Sequence, residues 1–503
     1  MIETPPALAA TAGGSLLVLA ILAPCAGILL SFVLGGRFAE RVALGLTPIG
    51  LAIATAIAVL VWRTGAPLVY NVAGLPPPLG IALRADGISC VMLVTAALVI
   101  AAAGFYARAN FSTPEGVTEA RAPLAFWILI QAIWAALTIL FVGGDLFNLY
   151  VALELLTFAA VPLVCLGGKP ETLVAALRYL LFALFGSVFY LLGAALIYGA
   201  YGTLDIVLLS ERVRAIPAVW LAAGLMTAGL LAKTALFPLH LWLPPAHANA
   251  PAAASAVLSG LVVKGSFFLT IRLWFYVLPA LPGSAAEAVL GTLGSAAILF
   301  GSVLALRQER LKLLIAYSTL AQIGYLFLIF PLASGAHPWV ADGWGGGMMQ
   351  TLSHAFAKAA MFMAAGLVAE SLGHDRIAEF AGAGRAMPAT FFALGLGGLS
   401  LMGLPPSGGF AAKWLLLRAS VASGQWPWAV VMLAGGLLAA GYVYRILAAA
   451  LADGAVALKA PPQRSREAIA LALAIVAVAL GFAPQSFFDF LQVGRAAAAA
   501  ALQ

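Results

Sequence analysis

Residues 233–251 read "KTALFPLHLWLPPAHANAP", placing Lys233, Pro238, His240 and His247 inside a strongly apolar stretch of chain. An ammonium group in hydrocarbon is costly unless it is paired or hydrated, so by default such a lysine marks a route for ions or protons. The two histidines suit admission of protons, since imidazole titrates near neutral pH, and equally suit bonding to exposed carbonyls. Glu154, in "DLFNLYVALELLTFAAVPL", sits several residues into another apolar run, on the order of 12 Å along a helix axis. An isolated carboxylate there would protonate, whereas a nearby ammonium would hold it ionised, and Lys233 is the natural partner. That pair either moves protons or merely pins two helices.

Three further lysines lie inside apolar runs: Lys264 in "SAVLSGLVVKGSFFL", Lys358 in "TLSHAFAKAAMFMAAG", and Lys413 after "SLMGLPPSGGFAA". His354 is four residues before Lys358, so the two share a helix face. A desolvated lysine gives up its proton more readily, and beside a histidine it suits proton relay. The segment "AYSTLAQIG" adds Tyr317, Ser318, Thr319 and Gln322, while Asp145 and Glu370 lie near helix ends. His337 and His374 fall in loops as solvated residues. Pro238, and later Pro405 and Pro406, must interrupt their helices. Broken helices at membrane depth are tolerated where the freed carbonyls line a hydrated cavity.

The elements that position these groups are set by composition. With 63% hydrophobic and 9% charged residues among 503, the chain is an all-α polytopic membrane protein, its apolar runs matching the roughly 20 residues needed to cross a bilayer. About fourteen spans are predicted, with no soluble domain between them. The opening "MIETPPALAATAGG" has no basic stretch, so the first helix is expected to be a retained span. The interrupted helices are the seventh (217–240) and twelfth (387–417). An odd offset of five spans inverts the second copy, as in the inverted repeats of transporters. The predicted organisation is three N-terminal spans (1–122), a first repeat (123–277), a second repeat (284–450), and a last span with tail (451–503).

Of the 26 basic residues, fifteen fall in loops after odd-numbered spans and seven in the remaining loops and tail. This bias places both termini away from the cytoplasm, and it accounts for the net charge of +7 without nucleic-acid binding. Cys25, Cys90 and Cys165 lie singly in apolar runs, which excludes iron–sulfur ligation and a disulfide framework. No metal or cofactor site is expected. "GWGGG" at 343–347 lacks the strand-to-helix setting of a dinucleotide fingerprint.

The motifs "ADGIS", "GDLFNLYVALELL", "AKTALFPLHLWLPPAHANAPAAASAVLSGLVVK", "LKLLIAYSTLAQIGY", "HAFAKAAMFMAAG" and "LMGLPPSGGFAAKW" closely resemble one family over roughly residues 80–450. It is the antiporter-like subunits shared by respiratory complex I, membrane-bound hydrogenases and Mrp-type Na+/H+ antiporters. "GDLFNLYV" looks most like the Mrp D subunit, whereas "FPLHLWLPPAHANAP" looks more like complex I subunits. The resemblance implies Glu154 and Lys233 as a coupling ion pair, Lys264 as the central relay, His354 and Lys358 as its continuation, and Lys413 as the terminal lysine. Pro245 stands where the family commonly has an acidic residue, which alters the charge of the entrance. The chain ends soon after the fourteenth span, unlike the complex I member with a long lateral helix, so that member is excluded.

Two function classes follow. One is a proton-translocating subunit of a multisubunit Mrp-type cation/proton antiporter or complex I-like assembly. The other is a pumping subunit of an NADH:quinone oxidoreductase or hydrogenase. Both need partner subunits, since the sequence shows no flavin, iron–sulfur or nicotinamide site of its own. A purely structural scaffold is disfavoured by five ionisable residues at depth. Sodium prefers oxygen ligands, which are scarce in the predicted interior, so protons are the expected ion and any Na+ or K+ site belongs to partners. The expected location is a bacterial inner membrane.

Overall fold

Two apolar helices open the computed structural model, which describes residues 9–279, 281 and 284–495. They are α1 (Ser15–Leu34) and α2 (Gly36–Thr64), and the chain reverses between them at Gly35, whose φ of 59° favours a residue without Cβ. A hairpin of β1 (Leu68–Asn71) and β2 (Ala82–Ala85) follows, antiparallel with Leu68 opposite Ala85. Asp86 caps α3 (Gly87–Phe111) by accepting from the Ser89 amide at 3.0 Å. Then come α4 (Arg121–Val142), α5 (Leu146–Val164), α6 (Pro170–Tyr201) and the short α7 (Ile206–Arg212). Asp145 and Asp205 cap α5 and α7, supplying acceptors to amides that a helix start leaves without partners.

The seventh crossing is broken. Helix α8 (Pro217–Thr234) stops at Ala235, which takes a left-handed φ of 60°, and the chain passes Pro238 before resuming as α9 (Leu243–Asn249). The break thus begins ahead of the proline. The eighth crossing passes from α10 (Ala252–Val257) through a π turn at Leu258–Val262 into α11 (Val263–Ile271) and a second π turn at Arg272–Val277. Next are α12 (Ser284–Arg307), α13 (Leu311–Phe327) with its extension α14 (Ile329–Leu332), α15 (Val340–Leu372) and the single turn α16 (Ala383–Ala386). The twelfth crossing is also broken, into α17 (Pro388–Met402) and α18 (Gly408–Ala422), with Pro405 and Pro406 in the gap. Helices α19 (Trp426–Leu451), α20 (Arg464–Ala479) and α21 (Gln485–Phe490) complete the described chain.

Among the described residues, thirteen helical segments are long and apolar enough to span a membrane. The halves α17 and α18 make a fourteenth crossing that neither could make alone. The chain is therefore an integral membrane protein of the all-α class, with broken helices where the sequence places them. Burial separates an inner group from an outer one. The most apolar window is 100% buried in 252–277, 94% in 340–372 and 89% in 311–332, against 28% in α1 and in α2. Three of the four lysines within apolar runs occupy or touch this inner group. "GWGGG" lies inside α15, where Gly343 meets the Leu332 carbonyl and Gly347 meets Ile329, so its small residues serve close helix packing.

Ion pairs sort the loops onto two faces. On one, Arg108 bonds Glu40 at 2.9 Å, Arg310 bonds Asp375 at 2.9 Å, and Arg466 bonds Glu370. All come from the connections expected to be rich in basic residues. On the other, Leu83 of the hairpin lies opposite Gly143 at the end of α4, and Asp145 and Asp205, at the starts of α5 and α7, lie opposite each other.

The hairpin forms the proline-bearing connection between the second and third spans. One reading is corrected. Arg272, counted with the loops, is 5% exposed inside the eighth crossing. It grips Asp86 with both guanidinium arms, Nη2 to Oδ1 at 2.8 Å, and donates to Ser89 Oγ at 2.8 Å. A buried pair stabilises little over an apolar replacement, but losing one partner strands the other charge. Asp86→Ala should cost roughly 3–5 kcal/mol, read as a lower melting temperature in detergent, while Asp86→Leu with Arg272→Met should restore most of it. An unchanged melting temperature in the single variant would contradict the pairing.

Asp205 gives a pH dependence. Burial, opposed by the Leu208 amide it accepts from, pushes its carboxyl up to about 6. A raised acid favours the fold while protonated, so this contribution is present at low pH and is lost as pH rises through about 6. Asp205→Asn keeps an acceptor at the cap and should flatten that part of the melting-temperature profile between about pH 4 and 6.

Candidate functional site

Glu154 on α5 and Lys233 in the last turn of α8 meet as the sequence suggests. Lys233 Nζ lies 3.0 Å from Glu154 Oε1 and also donates to Thr157 Oγ1 at 3.0 Å, one turn along α5. Ser187 on α6 donates a further short hydrogen bond to the same carboxylate oxygen. The lysine side chain is 6% exposed and the glutamate 15%, so the pair sits at the edge of the inner group with the acid outermost. Lys233 occupies the carbonyl end of a half-helix, where the dipole favours a cation.

The other three lysines within apolar runs have no carboxylate partner among the described residues. Lys264 Nζ donates back to the Ser259 carbonyl in the π turn that precedes it, and Lys264 is fully buried. Lys358 on α15 is fully buried as well, donating to the Ile315 carbonyl at 3.0 Å and to Ser318 Oγ on α13. Lys413 starts on α18 and reaches across the break to the last carbonyls of α17, Leu401 at 2.7 Å and Met402 at 3.2 Å. Its ammonium also lies 4.2 Å from the Tyr325 ring centroid, a cation–π contact.

His354 is 1% exposed, and neither ring nitrogen has a hydrogen-bond partner among the described residues. It lies within electrostatic range of Lys264, Lys358, His247 and Lys413, at the middle of the line. His247 is likewise fully buried with both nitrogens unpartnered, its ring stacked on Phe362 of α15. His240 is buried between the Phe237 and Phe300 rings. Gln322 donates to the same Leu401 carbonyl that holds Lys413 and accepts from Gln350 at 2.9 Å.

Two expected auxiliaries stand apart. Asp145 spends one oxygen on the Phe147 and Asn148 amides as a helix cap, and Tyr317 is half-buried against the core without a hydrogen bond to any lysine of the line. Sequence reasoning misses several contributors: Thr157, Ser187, Gln350, Tyr325 and Lys312. Thr157 is findable, being one turn after Glu154 and on the same face. Lys312 reads as a loop residue, yet it is half-buried and donates to the Ala250 carbonyl at 3.1 Å.

Acid–base chemistry is what this arrangement can do. One carboxylate and four lysines lie on α5, α8, α11, α15 and α18, among hydroxyls, amides and two histidines whose ring nitrogens have no partner among the described residues.

Comparison with known proteins agrees. Residues 143–439 match the family described as NADH:quinone oxidoreductase/Mrp antiporter, TM. The chain is 36% identical over 394 residues to the N subunit of NADH-quinone oxidoreductase from Desulforudis audaxviator, covering 78% of this chain and 76% of that one. It is 29% identical over 409 residues to the D subunit of the Na+/H+ antiporter from Alkalihalophilus pseudofirmus, covering 79% of each. In fold it is similar to a chain of the Mrp complex from Dietzia, with a TM-score of 0.86, 24% identity, and coverage of 98% of this chain and 100% of that one. Matched over more than half its length, and carrying its buried lysines inside that stretch, the chain belongs to the NADH:quinone oxidoreductase/Mrp antiporter transmembrane family.

Proposed function

We propose that the chain translocates protons along the line Glu154, Lys233, Lys264, His354, Lys358 and Lys413, as an antiporter-like subunit of a larger membrane assembly. The observation that carries this reading is that, among the described residues, Lys264, Lys358 and Lys413 are held by carbonyls, a hydroxyl and a ring, with one carboxylate on the line, at Lys233. An ammonium fixed at such depth without a counter-ion is costly, so groups so placed suit exchange between the charged and neutral forms. When Glu154 withdraws, Lys233 is left buried without its anion, and its proton passes to Lys264 and on to Lys413. His240 and His247 are placed to serve the entrance.

The broken helices support reading residues 123–277 and 284–450 as two inverted repeats, each contributing one half-helix terminus to an ammonium. That leaves 1–122 as an N-terminal unit and 451–503 as the closing one. The loop face bearing Arg108, Arg310 and Arg466 is read as cytoplasmic, with both termini opposite, in a bacterial inner membrane. The family's members are subunits, so other membrane subunits are partners. Similarity to the Na+/H+ antiporter chain favours exchange of protons against Na+ or K+ bound by partners, and similarity to the oxidoreductase chain favours a redox-driven pump. Purification in mild detergent followed by mass spectrometry separates these. Flavin- or iron–sulfur-bearing partners establish the second, and only membrane subunits establish the first.

Transport in reconstituted vesicles tests the line itself. Glu154→Gln and Lys233→Met should each lower proton movement by roughly 100-fold while the assembly still purifies intact. Lys413→Ala should do the same, and a Lys413→Ala assembly pumping at the normal rate would remove that residue from the route.

A further inference from the structure

Between α3, α10 and α15, on the loop face carrying Arg108 and Arg310, lies a cavity of about 350 Å3. Its apolar walls combine small residues such as Ala107, Ala253 and Gly366 with the Tyr106 and Phe111 rings, and its polar lining comes from Asn110, Lys312 and Glu370. A Cβ at Gly366 would run into Ala252 and the Tyr106 hydroxyl, so the glycine lets α15 pack closely on α10 and α3 at the cavity wall. The outer wall is clamped: Arg466 of α20, 4% exposed, bonds both oxygens of Glu370 on α15 and lies over the Tyr106 ring of α3 at 4.1 Å. Asn110 donates to Glu370 at 3.2 Å, and the Tyr106 hydroxyl donates to the Met363 carbonyl at 2.8 Å. Three helices are thereby tied around an opening instead of closing over it.

At the inner end, Lys312 donates to the Ala250 carbonyl, three residues past His247. The His247 carbonyl is in turn held by Ser255 Oγ at 2.9 Å, so this strand of chain is fixed from both sides. His247 is fully buried, both its ring nitrogens are without a partner among the described residues, and its stacking partner Phe362 lies one turn before Gly366 on α15. His247 is within electrostatic range of Lys312, Lys264 and Lys358.

Resting on the proton line above, we propose that this cavity is its inlet, and that Lys312 takes each proton from cavity water and passes it to His247. In the neutral form the Lys312 amine gains a proton from hydronium. An N–H bond of the resulting ammonium then breaks as one forms at a His247 ring nitrogen, directly or through a water molecule. The imidazolium releases the proton on its other nitrogen towards Lys264 and Lys358. Glu370 and Arg466 are positioning residues that hold the mouth.

The test uses the whole assembly in vesicles, with Cys25, Cys90 and Cys165 replaced by alanine. Ala253→Cys, near the cavity floor, should be modified by a small charged methanethiosulfonate reagent applied from the Arg108 face, and modification should stop transport. Lys312→Met should lower proton movement roughly 100-fold. Lys312→Arg should fail equally, since guanidinium keeps the charge but does not release its proton. An unreactive Ala253→Cys, or full transport in Lys312→Arg, would overturn the inlet. Lys233→Met separates this from the line itself: if it still transports, the line is wrong, and if it is inactive while Ala253→Cys stays unreactive, only the inlet is wrong.

Discussion

The constraint on which this molecule depends is that a positive charge inside a bilayer must find oxygen atoms to replace water. Ordinary α-helix offers none, because its carbonyls are already bonded along the axis. The chain meets the need by spoiling helices where a lysine lies. Lys413 takes the carbonyls at the end of α17, Lys264 takes one from a π turn, and Lys233 sits at the terminus of α8. Lys358 differs: its carbonyl, Ile315, belongs to intact helix and also accepts from Ser318 and Thr319, so there hydroxyls share the task. Helix breaks and buried lysines are therefore two aspects of one arrangement.

The same constraint explains the distribution of burial. The segments 252–277 and 340–372 are almost wholly enclosed by protein, because their polar groups can be satisfied only by neighbouring helices. Helices α1 and α2 carry no such burden and face outward. Around the inner group, charge is neutralised locally near the two loop faces, by Asp86 with Arg272 on one and Glu370 with Arg466 on the other. The interior line is left with a single carboxylate, at its edge.

Much of this was legible in the sequence because a charge in a long apolar run is conspicuous. Glu154, Lys233, Lys264, Lys358 and Lys413 stand out on that ground, and prolines beside two of them announce the breaks. Residues at the ends of runs carry no such mark. Arg272 and Lys312 read as loop charges, and only the packing of distant segments, Asp86 from before α3 and Ala250 from after α9, shows that they are enclosed. The π turns have no sequence signature to distinguish them from α-helix. The hairpin was hidden by strands of four residues around a proline-rich turn.

Helices α6 and α8 touch backbone to backbone where Gly186 meets Gly229, each glycine lying where a Cβ would strike the other's carbonyl. The same contact brings Gly186 beside the stem of Lys233, four residues along from Gly229. With no compressible side chain between them, these helices cannot slide or tilt against each other by small amounts. The contact holds the Lys233 stem against α6 and its Ser187, whereas Glu154 stands on α5, a helix that this glycine pair does not hold. Parting the pair therefore leaves the α6–α8 seam intact, whether the carboxylate swings by side-chain rotation, in picoseconds to nanoseconds, or moves with α5, in microseconds to milliseconds.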